Sequence, residues 1–179
     1  NSETLTLSNL VDGLNYRLNR GVNTEYETLL EYATLQGFAL PSPDQQILQN
    51  RLITNLKNLG IWSKLDIFYL FATDGGADIA RINWKNPGAH TITISGTPSF
   101  RTNIGFKNNG SFLDTNFIAS TSGVNYKLND ASRNMWVYTA DSSGVLTALS
   151  DSQSERTNNY STNRVTINSG TNRNASGDG

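Results

Sequence analysis

Apolar residues in the first third of the chain recur at the three- and four-residue spacing of an amphipathic helix, which predicts a helix over 24–36. Thr24 and Glu27 have the spacing of a capping box at its start, and Gly37 follows where a helix would end. The apolar positions before residue 22 fit either an extended arm or a weak helix. The predicted buried face consists of Tyr26, Leu29, Leu30 and Ala33.

A second helix is predicted after Pro41. Ser42 suits the N-cap and Pro43 the first helical position, with Gln45 three residues after the cap, and Gly60 suits the end. The two helices together predict a helical hairpin over 24–60. The predicted buried stripe of the second helix is Leu48, Leu52, Leu56 and Leu59, with Ile47 beside it.

The period changes after Gly60, because 65–72 is a continuous apolar run rich in β-branched and aromatic residues, and it predicts a fully buried strand. In 91–95, Ile92 and Ile94 alternate with threonines, as one-sided burial of an antiparallel sheet requires. Asn-Asn-Gly-Ser at 108–111 predicts a tight hairpin. The other short runs that predict strands are 80–84, 104–106, 112–115, 134–139, 145–149 and 164–167.

This pattern predicts an α+β fold that is mainly β, with an antiparallel β-sandwich preceded by the helical hairpin. The predicted organisation is a helical anchoring segment over 1–60, a β-sandwich over 61–167 and a flexible polar tail or linker over 168–179, where Ala175 is the one apolar residue after Asn168. The chain becomes polar after Ile167.

The surface implied by the composition is polar and uncharged. Asn, Thr, Ser and Gly supply 75 of the 179 residues, charged residues are 16%, and the net charge is −1. This balance excludes the basic face that nucleic-acid binding requires, and no apolar run is long enough to cross a bilayer. With no cysteine, thiolate metal sites, cysteine nucleophiles and disulfides are excluded.

Few residues suit catalysis. The single histidine, His90, excludes a site of several histidines, and its position at a strand start is typical of a structural residue. No two carboxylates form the close pair on one strand that lectin-like glycosidases use, so hydrolysis is disfavoured and no enzyme is predicted. The acidic residues of the β-rich part that enter this comparison are Asp66, Asp74, Asp78, Asp114, Asp130, Asp141 and Glu155.

Two binding sites remain as candidates. Asp74 and Asp78 stand four apart in a glycine-rich loop that suits calcium, but no complete calcium motif is present, and the favoured interpretation is that Asp74 starts a turn and Asp78 caps the next segment. No other metal or cofactor is predicted. Exposed aromatic rings and asparagines can also bind sugars. The candidate glycan-binding residues are Trp62, Trp84, Trp136, Asn108 and Asn109.

Three segments resemble a module of virion proteins from tailed bacteriophages of Bacteroidetes hosts: Ile82-Asn-Trp-Lys-Asn-Pro87, the stretch 105–117 with its Gly-Phe-x-x-Asn-Gly-Ser-x-x-Asp-Thr-Asn pattern, and 60–72. The resemblance covers about 24–140 and implies a sandwich of the concanavalin A-like, laminin-G-like or jelly-roll type without an active site. In such a sandwich a late strand pairs near the start, and here the chain becomes polar after Ile167, so the resemblance implies an incomplete sandwich that either a continuation of the chain or a neighbouring subunit completes. The residues that match as hairpin-shaping positions are Gly105, Asn109, Gly110, Asp114 and Asn116.

The resemblance implies a non-enzymatic structural protein at the virion surface, a capsid- or tail-associated fibre or decoration component. Its expected partners are other virion proteins and further copies of itself, and a neighbouring subunit could complete the sandwich by strand addition. The alternative function is a lectin-like adhesion module that recognises glycans of the host surface.

Overall fold

The computed structural model describes residues 21–107, 111–126 and 132, together with the backbone of four strands at 145–148, 156–159, 163–168 and 174–178. Two helices come first, α1 (Thr24–Leu35) and α2 (Pro43–Asn58). The start of α1 lies beside the second half of α2, because Lys57 Nζ is 2.8 Å from Glu25 Oε1. The predicted helical hairpin is therefore confirmed.

The helix starts differ from each other in how they are capped. Ser42 caps α2 as predicted, since its Oγ accepts a hydrogen bond from the amide of Gln45 at 3.4 Å and Pro43 follows it. The capping box predicted at Thr24 and Glu27 is wrong, because Asn23 is the N-cap of α1 and Thr24 is the first residue of the helix. The Asn23 side chain makes no cap bond because it is used on α2, where its Nδ2 donates to Thr54 Oγ1.

Both helices end as the sequence predicts. Gly37 and Gly60 have φ of 72° and 68°, the left-handed conformation that glycine adopts without strain. The amide of Gly37 donates to Thr34 O and that of Phe38 to Ala33 O, and the same pattern recurs at the end of α2. These paired bonds satisfy the last carbonyls of each helix.

The core lies between the helices and the residues that follow them. Tyr26, Leu29 and Ala33 of α1 are buried as predicted. The core cluster also contains Ile53, Trp62, Ile79, Ile82 and Trp84. The helical pair and residues 62–84 thus share one core.

The predicted buried stripe of α2 is confirmed only in part: Leu56 packs against the core and Leu52 is half-buried, whereas Ile47, Leu48 and Leu59 are exposed. Gln49 and Ile53 face the core, while Leu48 and Leu59 are 51% and 72% exposed. Gln49 is drawn inward because its Oε1 accepts from Tyr26 OH at 2.8 Å and its Nε2 lies 3.3 Å from Thr73 Oγ1. Satisfying the buried tyrosine hydroxyl therefore sets the rotation of the helix.

Two predicted strands are absent from this part of the chain. Residues 65–72 form no strand among the described residues, and they are half-buried rather than fully buried. In 80–84, Ala80 is the last residue of a short helix, α3 (Ala77–Ala80), and 81–84 has no strand conformation. A 3₁₀ turn, Trp62–Lys64, precedes the run 65–72.

Two small antiparallel sheets follow. β1 (Thr93–Ser95) pairs with β4 (Phe112–Asp114), and β2 (Ser99–Arg101) pairs with β3 (Gly105–Lys107). Ile92 is buried and Thr93 exposed, which agrees with the predicted alternation. A tight hairpin at 108–111 would pair β3 with β4. That prediction is wrong, because β3 pairs with β2 and β4 pairs with β1.

The remaining strands form one antiparallel sheet in the order β5-β6-β7-β8. Their bounds are β5 (Val145–Ala148), β6 (Arg156–Asn159), β7 (Asn163–Asn168) and β8 (Asn174–Asp178). β8 occupies residues for which the sequence predicts a flexible tail. A further short helix, α4 (Ala119–Ser122), follows β4.

The structure confirms an α+β fold with small antiparallel sheets. The β-sandwich and the domain boundaries at 60 and 167 stay predictions, and the strand predicted at 134–139 lies outside the described residues.

Candidate functional site

The two tryptophans that the structure describes belong to the core. Trp62 is 5% exposed and Trp84 is 2% exposed. Phe68 joins them, with its ring centroid 6.0 Å from Trp62 and 5.6 Å from Trp84 in edge-on contacts. Tyr26 packs on Trp84 at 5.9 Å. A sugar stacks on an exposed ring face, and neither indole presents one.

The ammonium group of Lys85 lies over the indole ring of Trp62. Its Nζ lies 4.5 Å from the centre of the indole ring and donates to Trp62 O at 2.7 Å. Burial lowers the pKa of Lys85, while the nearby carboxylates of Glu25 and Asp66 act in the opposite direction. The ammonium group therefore occupies the space over the indole ring in which a sugar would stack.

The other candidate glycan-binding residues, Trp136, Asn108 and Asn109, lie outside the described residues. Their role in sugar binding stays a prediction.

The two candidate calcium ligands are engaged separately. Asp74 Oδ1 accepts from the amide of Ser42 at 3.0 Å and ties its loop to the start of α2. Asp78 pairs with Arg81 one helical turn later. Gly76, rather than Asp78, is the N-cap of α3. Within the described residues no three His, Cys, Asp or Glu side chains form a group that suits a metal ion.

The main polar cluster lies where β1 begins and β4 ends, and we call it the His90–Asn116 junction. His90 Nδ1 lies 2.9 Å from Asn116 O, so this nitrogen carries the hydrogen and donates it to the carbonyl. Asn116 Nδ2 donates to Thr91 O at 2.9 Å and to Thr93 Oγ1 at 3.0 Å. The junction thus holds together the two chain segments that lead into and out of the sheet.

The backbone of the His90–Asn116 junction is strained. His90 and Asn116 have φ of 56° and 54°, in the left-handed region that side chains other than glycine rarely adopt. Asp114 Oδ1 accepts from the amide of Asn116 at 2.8 Å and stabilises this turn. Asp114 and Asn116 therefore shape a turn, the role that the resemblance implies for them.

Tyr69 is also part of the junction. Its hydroxyl donates to the carbonyl of His90. Burial, together with the nearby Asp114, raises the pKa of Tyr69 well above its ordinary range. Tyr26 shows the same direction, caused by burial and by Asp74. Both phenols are therefore hydrogen-bond donors, Tyr69 to His90 O and Tyr26 to Gln49 Oε1.

These two tyrosines predict loss of stability at alkaline pH. A raised pKa means that the folded state favours the neutral phenol, whereas the unfolded phenol ionises near pH 10. The stabilisation is therefore complete below about pH 10 and decreases as the pH rises above it. We expect the free energy of unfolding to fall above about pH 10, and to fall less steeply in the Tyr26→Phe/Tyr69→Phe variant. Denaturant unfolding with parallel measurement of phenolate absorbance tests this; equal slopes in the two proteins would contradict it.

Comparison with protein-family models, with curated proteins and with solved structures finds no match to this chain. Among the described residues, no helix has the length and apolar character needed to cross a membrane.

Sequence reasoning missed two features of the surface. One is the His90–Asn116 junction, for which the available pointer was the tolerance of asparagine for left-handed backbone. The other is an exposed apolar surface on α2, which we call the leucine stripe: Leu48, Leu52 and Leu59, at positions i, i+4 and i+11 of one helix face. The leucine spacing is visible in the sequence, but there it predicts a buried face of α2 rather than an exposed one.

Proposed function

We propose that this chain is a non-enzymatic structural protein of a tailed-bacteriophage virion, a capsid- or tail-associated fibre or decoration component that contacts other virion proteins through the leucine stripe. The proposal rests on the resemblance over 24–140 and on one structural observation. That observation is an apolar helix face in solvent: Leu48 is 51% exposed and Leu59 is 72% exposed.

The chemistry of the stripe suits a protein partner. Leu52, between the two exposed leucines, is half-buried, and Ile47 beside them is 50% exposed. Polar residues such as Arg51 and Asn55 flank the leucines. An apolar strip with a polar rim is typical of a protein interface. Either a second copy of the chain or another virion subunit would cover it, and repeated weak contacts in a particle add up through avidity.

The interior supports the same function. The two described tryptophans and the junction side chains stabilise the fold, and the uncharged polar surface suits display on a particle without a salt-dependent field. In this proposal the β-rich part forms a concanavalin A-like sandwich, and the α1–α2 hairpin provides the attachment to the particle.

The first test is the oligomeric state of the purified chain. Replacing Leu48 and Leu59 together with aspartate places two charges on the stripe, so we expect size-exclusion chromatography with light scattering to give an oligomer for the parent chain and a monomer for this variant. A monomeric parent chain would contradict self-association through the stripe. Thr28→Asp, at an exposed position of α1, is the control and should leave the mass unchanged. Circular dichroism confirms that both variants keep their helices.

The second test is cryo-electron microscopy of the native particle. We expect the leucine stripe to be sealed against a neighbouring virion subunit. A stripe that projects into solvent, together with binding of the chain on a glycan array, would overturn the structural proposal and favour the lectin-like alternative.

A further inference from the structure

One carboxylate connects two distant parts of the chain. Asp66 Oδ2 accepts from the backbone amides of Val124 at 2.9 Å, Asn125 at 3.0 Å and Tyr126 at 2.8 Å. Asp66 Oδ1 accepts from the Asn125 amide at 3.0 Å and from Asn125 Nδ2 at 2.9 Å. Three consecutive amides that converge on one anion form an anion-binding nest, and here the anion is a side chain of the same molecule.

Little else holds this segment against the residues after α2. Between 123–126 and 61–68, the other hydrogen bond among the described residues runs from Asn125 Nδ2 to Ser63 O at 3.2 Å. Val124 is 72% exposed, and the apolar contact of the segment is made by Tyr126, which is half-buried and packs edge-on against Phe117 at 6.4 Å. The hydrogen bonds that tie 123–126 to 61–68 are therefore polar contacts at the surface, and all but one of them are made by Asp66.

We propose that Asp66 is a releasable latch that fixes the segment 123–126, and with it the point at which the C-terminal part of the chain leaves the helical body. With the carboxylate charged, the three amides are bound and the segment is held. When an uncharged side chain replaces the carboxylate, the nest loses its anion and the segment is released from residues 61–68, while the core formed by the helices and residues 62–84 stays folded. This proposal is independent of the virion function.

Asp66→Asn is the direct test, because the amide has the same shape but no charge and one of its two polar atoms is a donor. We expect the amides of Val124, Asn125 and Tyr126 to exchange hydrogen at least about tenfold faster, since hydrogen bonds to a charged acceptor are the strong ones. Amides of α1 and α2 should exchange as in the parent chain. Chymotrypsin should gain a cleavage site after Tyr126.

Two controls separate the latch from a general loss of stability. Asp44→Asn removes a carboxylate at an exposed position of α2 and should leave exchange at 124–126 unchanged. Asp66→Glu keeps the charge and should restore part of the protection. Parent-like exchange at 124–126 in Asp66→Asn would overturn the proposal, and so would an equal loss of protection in α1 and α2, because Asp66 would then support the whole fold.

Discussion

Replacing Trp84 with alanine is expected to lower the free energy of unfolding by about 3–5 kcal/mol, the largest effect of a single substitution that we predict. The indole is 2% exposed and packs against Phe68 and Tyr26 at the centre of the shared core. Its removal loses both the buried apolar area and the ring contacts, and it leaves a cavity that the helices can close only in part. Equilibrium unfolding in urea measures the change.

Leu35→Ala is the control for Trp84→Ala, because Leu35 is 83% exposed and its truncation should cost less than about 1 kcal/mol. Similar losses in the two variants would mean that Trp84 does not lie in the core. A ring outside the core would again be available to a sugar, so the result also bears on the lectin-like alternative.

The second large effect is expected at Asn83, which is 0% exposed. Its Oδ1 accepts from the backbone amides of Phe68 and Lys85, each at 3.1 Å. Phe68 lies in no strand among the described residues, and its amide has this side chain as its acceptor while its carbonyl accepts from the amide of Trp84 at 2.8 Å. Asn83→Ala leaves two amides without their acceptor, and we expect a loss of about 2–4 kcal/mol in the free energy of unfolding.

Hydrogen exchange separates this explanation from simple loss of volume. In Asn83→Ala the amides of Phe68 and Lys85 should lose protection before those of α1. Asn86→Ala, at an exposed asparagine of the same segment, should change stability by no more than about 0.5 kcal/mol. Protection at Phe68 and Lys85 equal to that of the parent chain would show that Asn83 does not hold the run 65–72.

The hydrophobic pattern predicted the helices better than the strands. Helix ends depend on contacts within a few residues, so Ser42, Gly37 and Gly60 were sufficient to place them. The run 65–72 has the composition of a strand, but a strand also needs a partner, and a partner is a distant part of the chain. The same reason explains the failure at 108–111, because the pairing of β3 with β2 and of β4 with β1 is not a local property.

The candidate site was harder to predict than the fold. Tryptophan suits both a sugar platform and a core, and composition does not distinguish them; burial does, at 5% for Trp62 and 2% for Trp84. The sequence does not distinguish Asp66 from the other carboxylates. Only the folded chain brings the amides of 124–126, almost sixty residues later, onto it.

By itself the sequence determined the α+β class, the helical hairpin with its ends, and the inward face of α1, because these follow from local spacing and backbone preference. The tertiary structure decided which side of α2 is buried, how the short strands pair, and which polar side chains hold distant segments together. Those outcomes depend on satisfying buried polar groups such as Tyr26 OH across the fold, and no local pattern records where the partner lies.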